Sequence, residues 1–252
     1  EEAEEAERIR RIEEEQRRQI EAEENERQEY IESQMEDLDF VYDLEAIEWQ
    51  GKWGFVNEDG REITPFKYDS VEEFDEEFAK VEVNGKWTFI NKNGREIAPA
   101  IYDNAYTFSE GHAAVEKDRK WGFINDRGRE ITPIIYALID SFSEGLAACM
   151  KEVEWGFINS RGEEIIPCAY DYVRHFSEGL AGFQVNGKWG YINKKGEEVI
   201  SRIYDDLACF SEGLAGVQIC GKWSFVDKTG KEIVPYIFDQ IKDFEDGYAQ
   251  VK

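Results

Sequence analysis

Short runs of alternating apolar and polar residues recur along most of this chain, and glycine-containing turns separate them. In the run Lys188–Asn193, large apolar side chains alternate with smaller or polar ones, which predicts a β-strand. Asn193–Gly196 predicts a tight turn, because Gly196 stands where a type I turn with a bulge needs a left-handed residue. Glu197–Ile200 predicts the return strand, and Leu214–Ile219 predicts a further strand. The pattern therefore indicates antiparallel β-hairpins joined by short connections.

The whole pattern repeats every 34 residues from about Asp39 onwards, without an insertion or deletion. Tryptophan marks the step most clearly, at Trp53, Trp87, Trp121, Trp155, Trp189 and Trp223. Glycine, tyrosine, phenylalanine and alanine series keep the same step, and all 5 prolines belong to one series in which Ser201 replaces the fifth member. Because so short a unit cannot bury its own apolar face, the repeated aromatic and alanine side chains are predicted to form a core shared by neighbouring units.

Two all-β architectures satisfy this repeat, an open twisted β-solenoid and a compact β-propeller. The array begins with one strand type at Ala46–Gln50 and ends with the same type at Tyr248–Lys252, so this type occurs once more than the tryptophan strand. Since the two ends of a closed ring would compete for one position, the open solenoid is favoured. Proline is expected to end the return strand, because it has no N–H for the ladder. The array is expected to continue beyond Lys252, where another Gly-Lys-Trp fits.

The first 38 residues have a different composition, with 16 Asp+Glu, 6 Arg and no glycine or proline. Good helix formers dominate, and acid-first pairs four residues apart favour one solvated helix of about 50 Å. These pairs are Glu4–Arg8, Glu7–Arg11, Glu13–Arg17, Glu14–Arg18 and Glu23–Arg27. The helix does not sustain a heptad pattern of apolar residues, because its candidate a and d positions include Gln16, Gln19 and Glu23. The chain is therefore predicted to consist of a charged helix over 1–38, acting as a linker or a stalk, and a β-repeat domain over 39–252.

Composition narrows the classes of function. The formal net charge of −26 disfavours nucleic acid and anionic membrane surfaces as partners. No apolar run reaches the roughly 18 residues that cross a bilayer, so no membrane insertion is expected. The 4 cysteines have neither CxxC spacing nor the density of a disulfide scaffold. Because the sequence starts at Glu1, without Met or a signal segment, it is expected to be a fragment. Compartment and oligomeric state are not predicted.

Few residues suggest chemistry. His112 takes a position that is leucine in other units, which predicts a packing role, and His175 takes a small or polar position near a turn. Serines of the recurring Ser-Glu-Gly turn are explained by that turn, and no GxSxG motif accompanies them. These serines are Ser109, Ser143, Ser177 and Ser211. The cysteines, which replace strand or turn residues, are Cys149, Cys168, Cys209 and Cys220. No catalytic residue, cofactor or metal ligand is assigned, and an enzyme is not expected.

Two repeated series are compatible with ligand binding. One consists of aspartates that follow an aromatic residue, at Asp69, Asp103, Asp171, Asp205 and Asp239. They are compatible with Ca²⁺, which prefers oxygen ligands, but side-chain hydrogen bonds to their own turns are the favoured interpretation. The other series is the tryptophans, which could stack against a periodic glycan. Core packing is favoured for them, because each tryptophan lies beside Gly-Phe in a strand whose two faces both need cover.

The recurring motif resembles the WG-containing repeat family, which is found mostly in bacterial proteins. It reads Gly-Lys-Trp-Gly-Phe-Val/Ile-Asn, followed by Gly, Glu-Ile, Pro, Tyr-Asp and Phe-Ser-Glu-Gly-Leu-Ala, and its clearest copies are Gly51–Phe55 and Phe176–Ala181. The resemblance covers roughly residues 40–252 and implies β-rich repeats, a binding or scaffolding role and no agreed catalytic residues. The sequence departs from the motif at three places. Thr88 and Ser224 replace the glycine after tryptophan, and Glu154 replaces the lysine before it. Glu76-Glu77 stands where most repeats have Glu-Gly, which predicts a looser turn in that repeat.

The favoured hypothesis is a non-enzymatic scaffold whose extended repeat surface binds another protein. The acidic chain should prefer a partner with a basic or polar surface. Lys67, Arg174 and Arg202 occupy positions that differ among units and are candidates for partner specificity. Two alternatives stay open. One is a carbohydrate or cell-envelope binding module, and the other is an accessory domain of an enzyme whose catalytic part lies outside this sequence.

Overall fold

The computed structural model describes residues 2–35, 44–75 and 77–252, which belong to two compact parts, Glu1–Ala100 and Ile101–Lys252. Along the N-terminal part the described elements are α1 (Glu2–Met35), β1 (Leu44–Trp49), β2 (Lys52–Asn57), β3 (Ser70–Val71), β4 (Phe78–Val83) and β5 (Lys86–Asn91). The predicted boundary at Leu38 and Asp39, and the looser turn predicted at Glu76, lie outside the described residues.

The C-terminal part repeats the same strand types. Its described strands are β6 (Asn104–Ala105), β7 (His112–Lys117), β8 (Lys120–Asn125), β9 (Leu138–Ile139), β10 (Leu146–Lys151), β11 (Glu154–Asn159), β12 (Glu164–Tyr170), β13 (Tyr172–Val173), β14 (Leu180–Val185), β15 (Lys188–Asn193), β16 (Glu198–Tyr204), β17 (Asp206–Leu207), β18 (Leu214–Ile219) and β19 (Lys222–Asp227). Each six-residue pair is an antiparallel hairpin; β14 and β15, for example, pair from Leu180↔Asn193 to Val185↔Lys188.

The hairpins assemble into open antiparallel sheets. The strand orders are β1-β2, β3-β4-β5, β6-β7-β8, β12-β11-β10-β9, β13-β14-β15-β16 and β17-β18-β19. Every sheet among the described strands has two edges, so none of them is closed into a barrel. The prediction of an all-β array of antiparallel hairpins in open sheets, preceded by a charged helix, is confirmed.

Two-residue turns close the hairpins where the sequence predicts them. Asn84 and Gly85 both have positive φ, at 52° and 73°, which is the type I′ geometry that matches the twist of the flanking strands. Gly196, predicted to be left-handed, has a φ of 77°. Between β7 and β8 the same turn contains no glycine, and Asp118 and Arg119 adopt φ values of 53° and 61°. Turn geometry is therefore kept even where the residue type does not favour it.

The return strand differs from its prediction. It forms a continuous strand only in β12 and β16. Elsewhere among the described residues it is reduced to isolated bridges such as Val56↔Glu62 and Trp121↔Tyr136. Proline does not end β12, because Pro167 lies inside it. The strand tolerates this proline because β12 shifts register twice against β11 and forms the edge of its sheet, where a missing N–H breaks no ladder bond.

The residue after each tryptophan lies directly beneath the return segment. A Cβ at Gly156 would lie 2.4 Å from the carbonyl oxygen of Ile166, so only glycine fits there. Thr88 replaces this glycine in another repeat, is fully buried, and donates its hydroxyl hydrogen bond to the carbonyl of Ala98 at 2.6 Å. Ser224 makes the equivalent bond to its own return segment. The two departures from the motif thus hold the segment by a hydrogen bond instead of by close backbone packing.

Pairs of aromatic rings nineteen residues apart form the centre of at least five of the six repeats. Their centroids are 4.7–5.3 Å apart with mostly edge-to-face geometry, which favours such pairs beyond simple burial. The pairs are Phe55–Phe74, Phe123–Phe142, Phe157–Phe176, Tyr191–Phe210 and Phe225–Phe244. The repeated alanines, predicted to lie under close packing, are buried at Ala79, Ala113, Ala147, Ala181 and Ala215.

Helix α1 contacts the repeats through its C-terminal end. Ile31 is completely buried against Ile47 and Val56, and Arg27, predicted to pair with Glu23, pairs instead with Glu62 at 2.6 Å. The preceding isoleucines of the helix are exposed, at Ile9, Ile12 and Ile20. The predicted pair Glu7–Arg11 is present at 2.8 Å. No described helix has the length and apolar character needed to span a membrane.

Candidate interaction surface

Two of the three candidate specificity residues are held by contacts within their own part of the chain. Lys67 pairs with Glu96 at 2.6 Å. Arg202 pairs with Glu198 at 3.0 Å, and its guanidinium carbon lies 5.6 Å from the centre of the Phe183 ring. Side chains at both positions keep more than two fifths of their surface exposed. They are therefore accessible charges in fixed positions, and a partner role for them stays a prediction.

The third candidate, Arg174, covers a tryptophan. Its guanidinium lies 5.2 Å from the Trp189 ring and donates a hydrogen bond to Asp206 at 3.2 Å, while its Nε is buried without a partner. Tyr106 occupies the same repeat position two units earlier and stacks on Trp121 with centroids 4.7 Å apart. In these two repeats the position therefore supplies the cover of the tryptophan that follows it by fifteen residues, with a different side chain in each.

The tryptophans are less buried than predicted. Only Trp121 among the repeated tryptophans is buried, and the others are half-buried. Trp53, Trp155 and Trp189 pack one side against the hydrophobic clusters, which confirms a core role for part of each ring. Core packing, the favoured prediction, therefore accounts for only part of each half-buried ring.

The histidines and cysteines do not form a shared site. His112 packs its ring 4.6 Å from Phe142, and its Nδ1 lies 2.8 Å from the Glu110 carbonyl, so its packing role is confirmed. His175 is half-buried. Cys149 is buried, Cys168 and Cys209 are half-buried and Cys220 is exposed. Among the described residues, no group of three or more His, Cys, Asp or Glu side chains is arranged to hold a metal ion.

The repeated aspartates bind the backbone, but not in the turn expected. Asp69 accepts hydrogen bonds from the Asn84 N–H at 2.6 Å and from Lys52. Asp205 likewise accepts from the Cys220 N–H at 2.7 Å and from Lys188 at 2.6 Å. Hydrogen bonds from the lysine and then from the backbone lower the pKa of both aspartates. Each carboxylate therefore fixes the turn fifteen residues later instead of its own turn, which corrects the prediction.

The Ser-Glu-Gly turns connect successive repeats of the C-terminal part. Ser143 Oγ donates to the Phe176 carbonyl at 2.8 Å, and Ser177 Oγ donates to the Phe210 carbonyl at 2.6 Å. The following glutamate accepts hydrogen bonds from the backbone of the next turn; the Glu110 carboxylate, for example, binds two N–H groups at 2.8 Å. The structural interpretation of these serines is thereby confirmed, and the glutamates join them in a role that the sequence did not indicate.

Two exposed aliphatic rows, which no motif in the sequence indicated, lie on the return segments of the C-terminal part. The first row contains Ile135, Ile203 and Ile237, which are 48%, 53% and 58% exposed, together with the half-buried Ile101. The second row contains the exposed Ile165, Val199 and Ile233. Both rows follow the 34-residue step, with Ala169 standing between Ile135 and Ile203 in the first row, and this periodicity is the signal that could have found them. We call them the aliphatic rows.

Glutamates accompany the second row at every repeat. Glu164, Glu198 and Glu232 directly precede its members, and Glu130 holds the same position one unit earlier. These carboxylates lie near the buried tyrosine of the preceding repeat: burial first, and then Glu232, raises the pKa of Tyr204. Glu164 is paired with Lys151 and Glu198 with Arg202, so ion pairs neutralise part of the negative charge that borders this row.

Comparison with known proteins supports the repeat assignment. A family model described as WG containing repeat matches residues 53–87, 87–121, 121–152, 155–189, 189–223 and 223–252. No curated protein sequence matches the chain. Hsv2p of Kluyveromyces lactis is similar with a TM-score of 0.39 and 10% identity, over 74% of this chain and 71% of that one.

A second solved structure is similar at a comparable level. It is the extracellular domain of the hybrid two-component system BT3049 of B. thetaiotaomicron, with a TM-score of 0.35 and 13% identity, over 64% of this chain and 26% of that one.

Proposed function

Because the chain belongs to the WG-containing repeat family, we propose that it is a non-enzymatic interaction module whose C-terminal part binds another protein through the aliphatic rows. The observation that carries this proposal is the recurrence of exposed isoleucine at one repeat position. Lys67 occupies that position in the first repeat, so the fold accepts a charged residue there. Isoleucine at Ile135, Ile203 and Ile237 is therefore not required for folding, and exposed aliphatic side chains in series are typical of binding surfaces.

The surface favours side-chain recognition over addition of a strand. The rows lie on β12, β16 and the equivalent return segments, at the edges of their sheets. A partner strand would need regular N–H and C=O groups along this edge, but Pro167 removes a donor and the register of β12 and β16 is irregular. The partner is thus expected to present aliphatic or aromatic side chains. The net charge of −26 favours basic residues around them.

The hydrogen bonds of the repeated polar residues support a role without catalysis. The repeated serines, aspartates and glutamates are engaged with backbone groups, as at Ser177, Asp205 and Glu110. A nucleophile needs a neighbouring base within hydrogen-bond reach, and His112 lies instead against Phe142 and the Glu110 carbonyl.

The test compares two sets of substitutions in the full chain. The row variant I135S/I203S/I237S removes the first row, and the control variant L138S/Y172S removes exposed apolar side chains of comparable size from β9 and β13, at the opposite sheet edges. The wild-type chain is used to retain proteins from source-cell extract, and these are identified and purified. Each is then titrated against the wild type, the row variant and the control variant. We expect at least a tenfold weaker Kd for the row variant and an unchanged Kd for the control. Equal affinities for wild type and row variant would refute the proposal.

A carbohydrate or cell-envelope binding function is the second candidate, and the half-buried tryptophans favour it. Indole faces that are only partly covered offer stacking area for sugar rings. Soluble cell-wall glycans would then change tryptophan fluorescence in a saturable manner, whereas the proposed protein-binding surface predicts no change. A role as an accessory domain of a larger enzyme stays a prediction, and the domain content of the full-length gene tests it.

A further inference from the structure

Two repeat positions nineteen residues apart are in contact in successive repeats, and in one repeat both are cysteine. In the C-terminal part, Val217 and Tyr236 belong to one hydrophobic cluster. At the same two positions one repeat earlier, Arg202 lies over the Phe183 ring at 5.6 Å. In the repeat before that, Cys149 and Cys168 occupy the positions, with their Sγ atoms 4.0 Å apart. The contact of the two sulfurs therefore follows from the geometry of the repeat.

The residue between the two cysteine strands explains why they meet. Cys149 lies on β10 and Cys168 on β12, with β11 between them in the sheet. The β11 residue opposite Cys149 is Gly156, and a Cβ there would lie 2.7 Å from the backbone nitrogen of Cys168. Because Gly156 has no side chain, β12 passes close above it and brings Cys168 to Cys149.

We propose that Cys149 and Cys168 are a redox-active pair that closes to an intramolecular disulfide and cross-links β10 to β12. Closure requires the sulfurs to approach from 4.0 Å to about 2.05 Å. The backbone at Cys168 can supply this movement, because Pro167 donates no ladder bond and the register of β12 shifts on both sides of Phe157. The other two cysteines, the half-buried Cys209 and the exposed Cys220, are free thiols.

The burial of the two thiols sets the order of the reaction. Cys149 is fully buried, so the half-buried Cys168 is the sulfur that meets an oxidant of the hydroperoxide class. The Cys168 thiolate attacks one peroxide oxygen, the O–O bond breaks, and a sulfenic acid and hydroxide form. Cys149 sulfur then attacks the Cys168 sulfur and displaces the hydroxyl as water, so that two thiols and one hydrogen peroxide give one disulfide and two waters.

The reaction is expected to be slow at neutral pH. Burial is the first cause that raises the pKa of both thiols, and the neighbouring sulfur raises that of Cys149 further. Because the thiolate is the reactive form, the rate of closure should rise about tenfold per pH unit until the thiol titrates. This dependence separates the pair from a preactivated cysteine, whose rate would already be near its maximum at pH 7.

The experiment uses the full chain with C209S/C220S, which leaves only the proposed pair. This chain is treated with hydrogen peroxide at pH 7 and at pH 8.5 and is then alkylated in denaturant. Its intact mass is measured, and its peptides are mapped without reductant. We expect a mass about 2 Da lower, a cross-linked peptide joining Cys149 to Cys168, and a Tm about 5–10 °C higher that dithiothreitol reverses. The further substitution C168S is expected to abolish all three changes.

Two results would overturn the proposal. One is full alkylation of both thiols after peroxide treatment, and the other is a gain of one or more oxygen atoms without a cross-linked peptide. Both results are measured on the C209S/C220S chain, so they remain valid even if C168S fails to fold. Circular dichroism before the peroxide treatment verifies that the C209S/C220S chain is folded. The proposal does not depend on the proposed function, although Ile165 of the second aliphatic row lies on the cross-linked strand β12.

Discussion

The Glu144 carboxylate accepts a hydrogen bond at 2.9 Å from the backbone N–H of Gly179, thirty-five residues later in the chain. Lys194 pairs with the same carboxylate at 3.1 Å. Burial alone would raise the pKa of Glu144, but the hydrogen bonds from Lys194 and from the backbone outweigh it and lower this pKa. The connection between two successive turns therefore depends on a negative charge.

Neutralising this connection should destabilise the C-terminal part in a pH-dependent way. Glu178 makes the equivalent bond to Gly213 and also has a lowered pKa. For E144Q/E178Q we expect the free energy of unfolding at pH 7 to fall by about 1 kcal/mol per site. Since the folded pKa is lowered, the contribution is present above the ordinary value of 4.5 and is lost as pH falls below it.

Urea unfolding at pH 7, 5 and 3.5 measures this difference. The control variant is E152Q, which changes an exposed carboxylate in the turn between β10 and β11. We expect E152Q to match the wild type at each pH. A stability difference of E144Q/E178Q that is equal at pH 7 and 3.5 would contradict the role of the charge.

The position after tryptophan offers a test of close backbone packing. In Gly156→Ala, the new Cβ would lie 2.4 Å from the Ile166 carbonyl oxygen, so β12 must move. We expect a loss of about 2–4 kcal/mol in the free energy of unfolding. Thr88→Ala is the matched control, because a Cβ is already accommodated there and only the hydroxyl bond to Ala98 is removed, for about 1–2 kcal/mol. A smaller effect for Gly156→Ala than for Thr88→Ala, by urea unfolding, would contradict the steric explanation.

Local residue patterns predict the hairpins, but they do not show which face of the return strand is buried. Gly196 and the Asn84-Gly85 pair specify turns by themselves, so the repeat and its strands follow from the sequence. Ile200 and Ile203 are both aliphatic and lie three residues apart on the same strand, so simple alternation places them on opposite faces. Ile200 is buried and Ile203 is exposed, but which of the two faces the core follows only from the packing of the strand against its neighbours.

The contacts between repeats could not be predicted from the sequence either. The Ser-Glu-Gly turn is evident as a turn, but the bond from Ser177 Oγ to the Phe210 carbonyl exists only because the next repeat is stacked at that distance. Within one repeat, Asp205 was expected to bind its own turn, whereas it accepts a hydrogen bond from the N–H of Cys220 in the following turn. A single repeat contains no information on which neighbour reaches it.

Arg174 should protect the face of Trp189 from solvent. Its guanidinium lies 5.2 Å from the ring and is anchored by Asp206. In Arg174→Ala we expect a red-shifted tryptophan emission, stronger acrylamide quenching and a loss of about 0.5–1 kcal/mol in stability. Arg202→Ala is the control, because Arg202 covers Phe183 and should leave the tryptophan emission unchanged. Identical quenching of wild type and Arg174→Ala would show that the arginine is not the cover.

The docking of helix α1 should depend on one buried side chain near its C-terminal end. Ile31 is completely buried against Ile47 and Val56, whereas Ile20 of the same helix is exposed. We expect Ile31→Ala to remove about 2–4 kcal/mol from the docking and Ile20→Ala to change stability by less than about 0.5 kcal/mol. Amide hydrogen exchange provides the readout, because undocking exposes the last helical turns while the strands stay protected. Faster exchange of residues 27–35 in Ile31→Ala alone is the expected result, and equal exchange in both variants would contradict it.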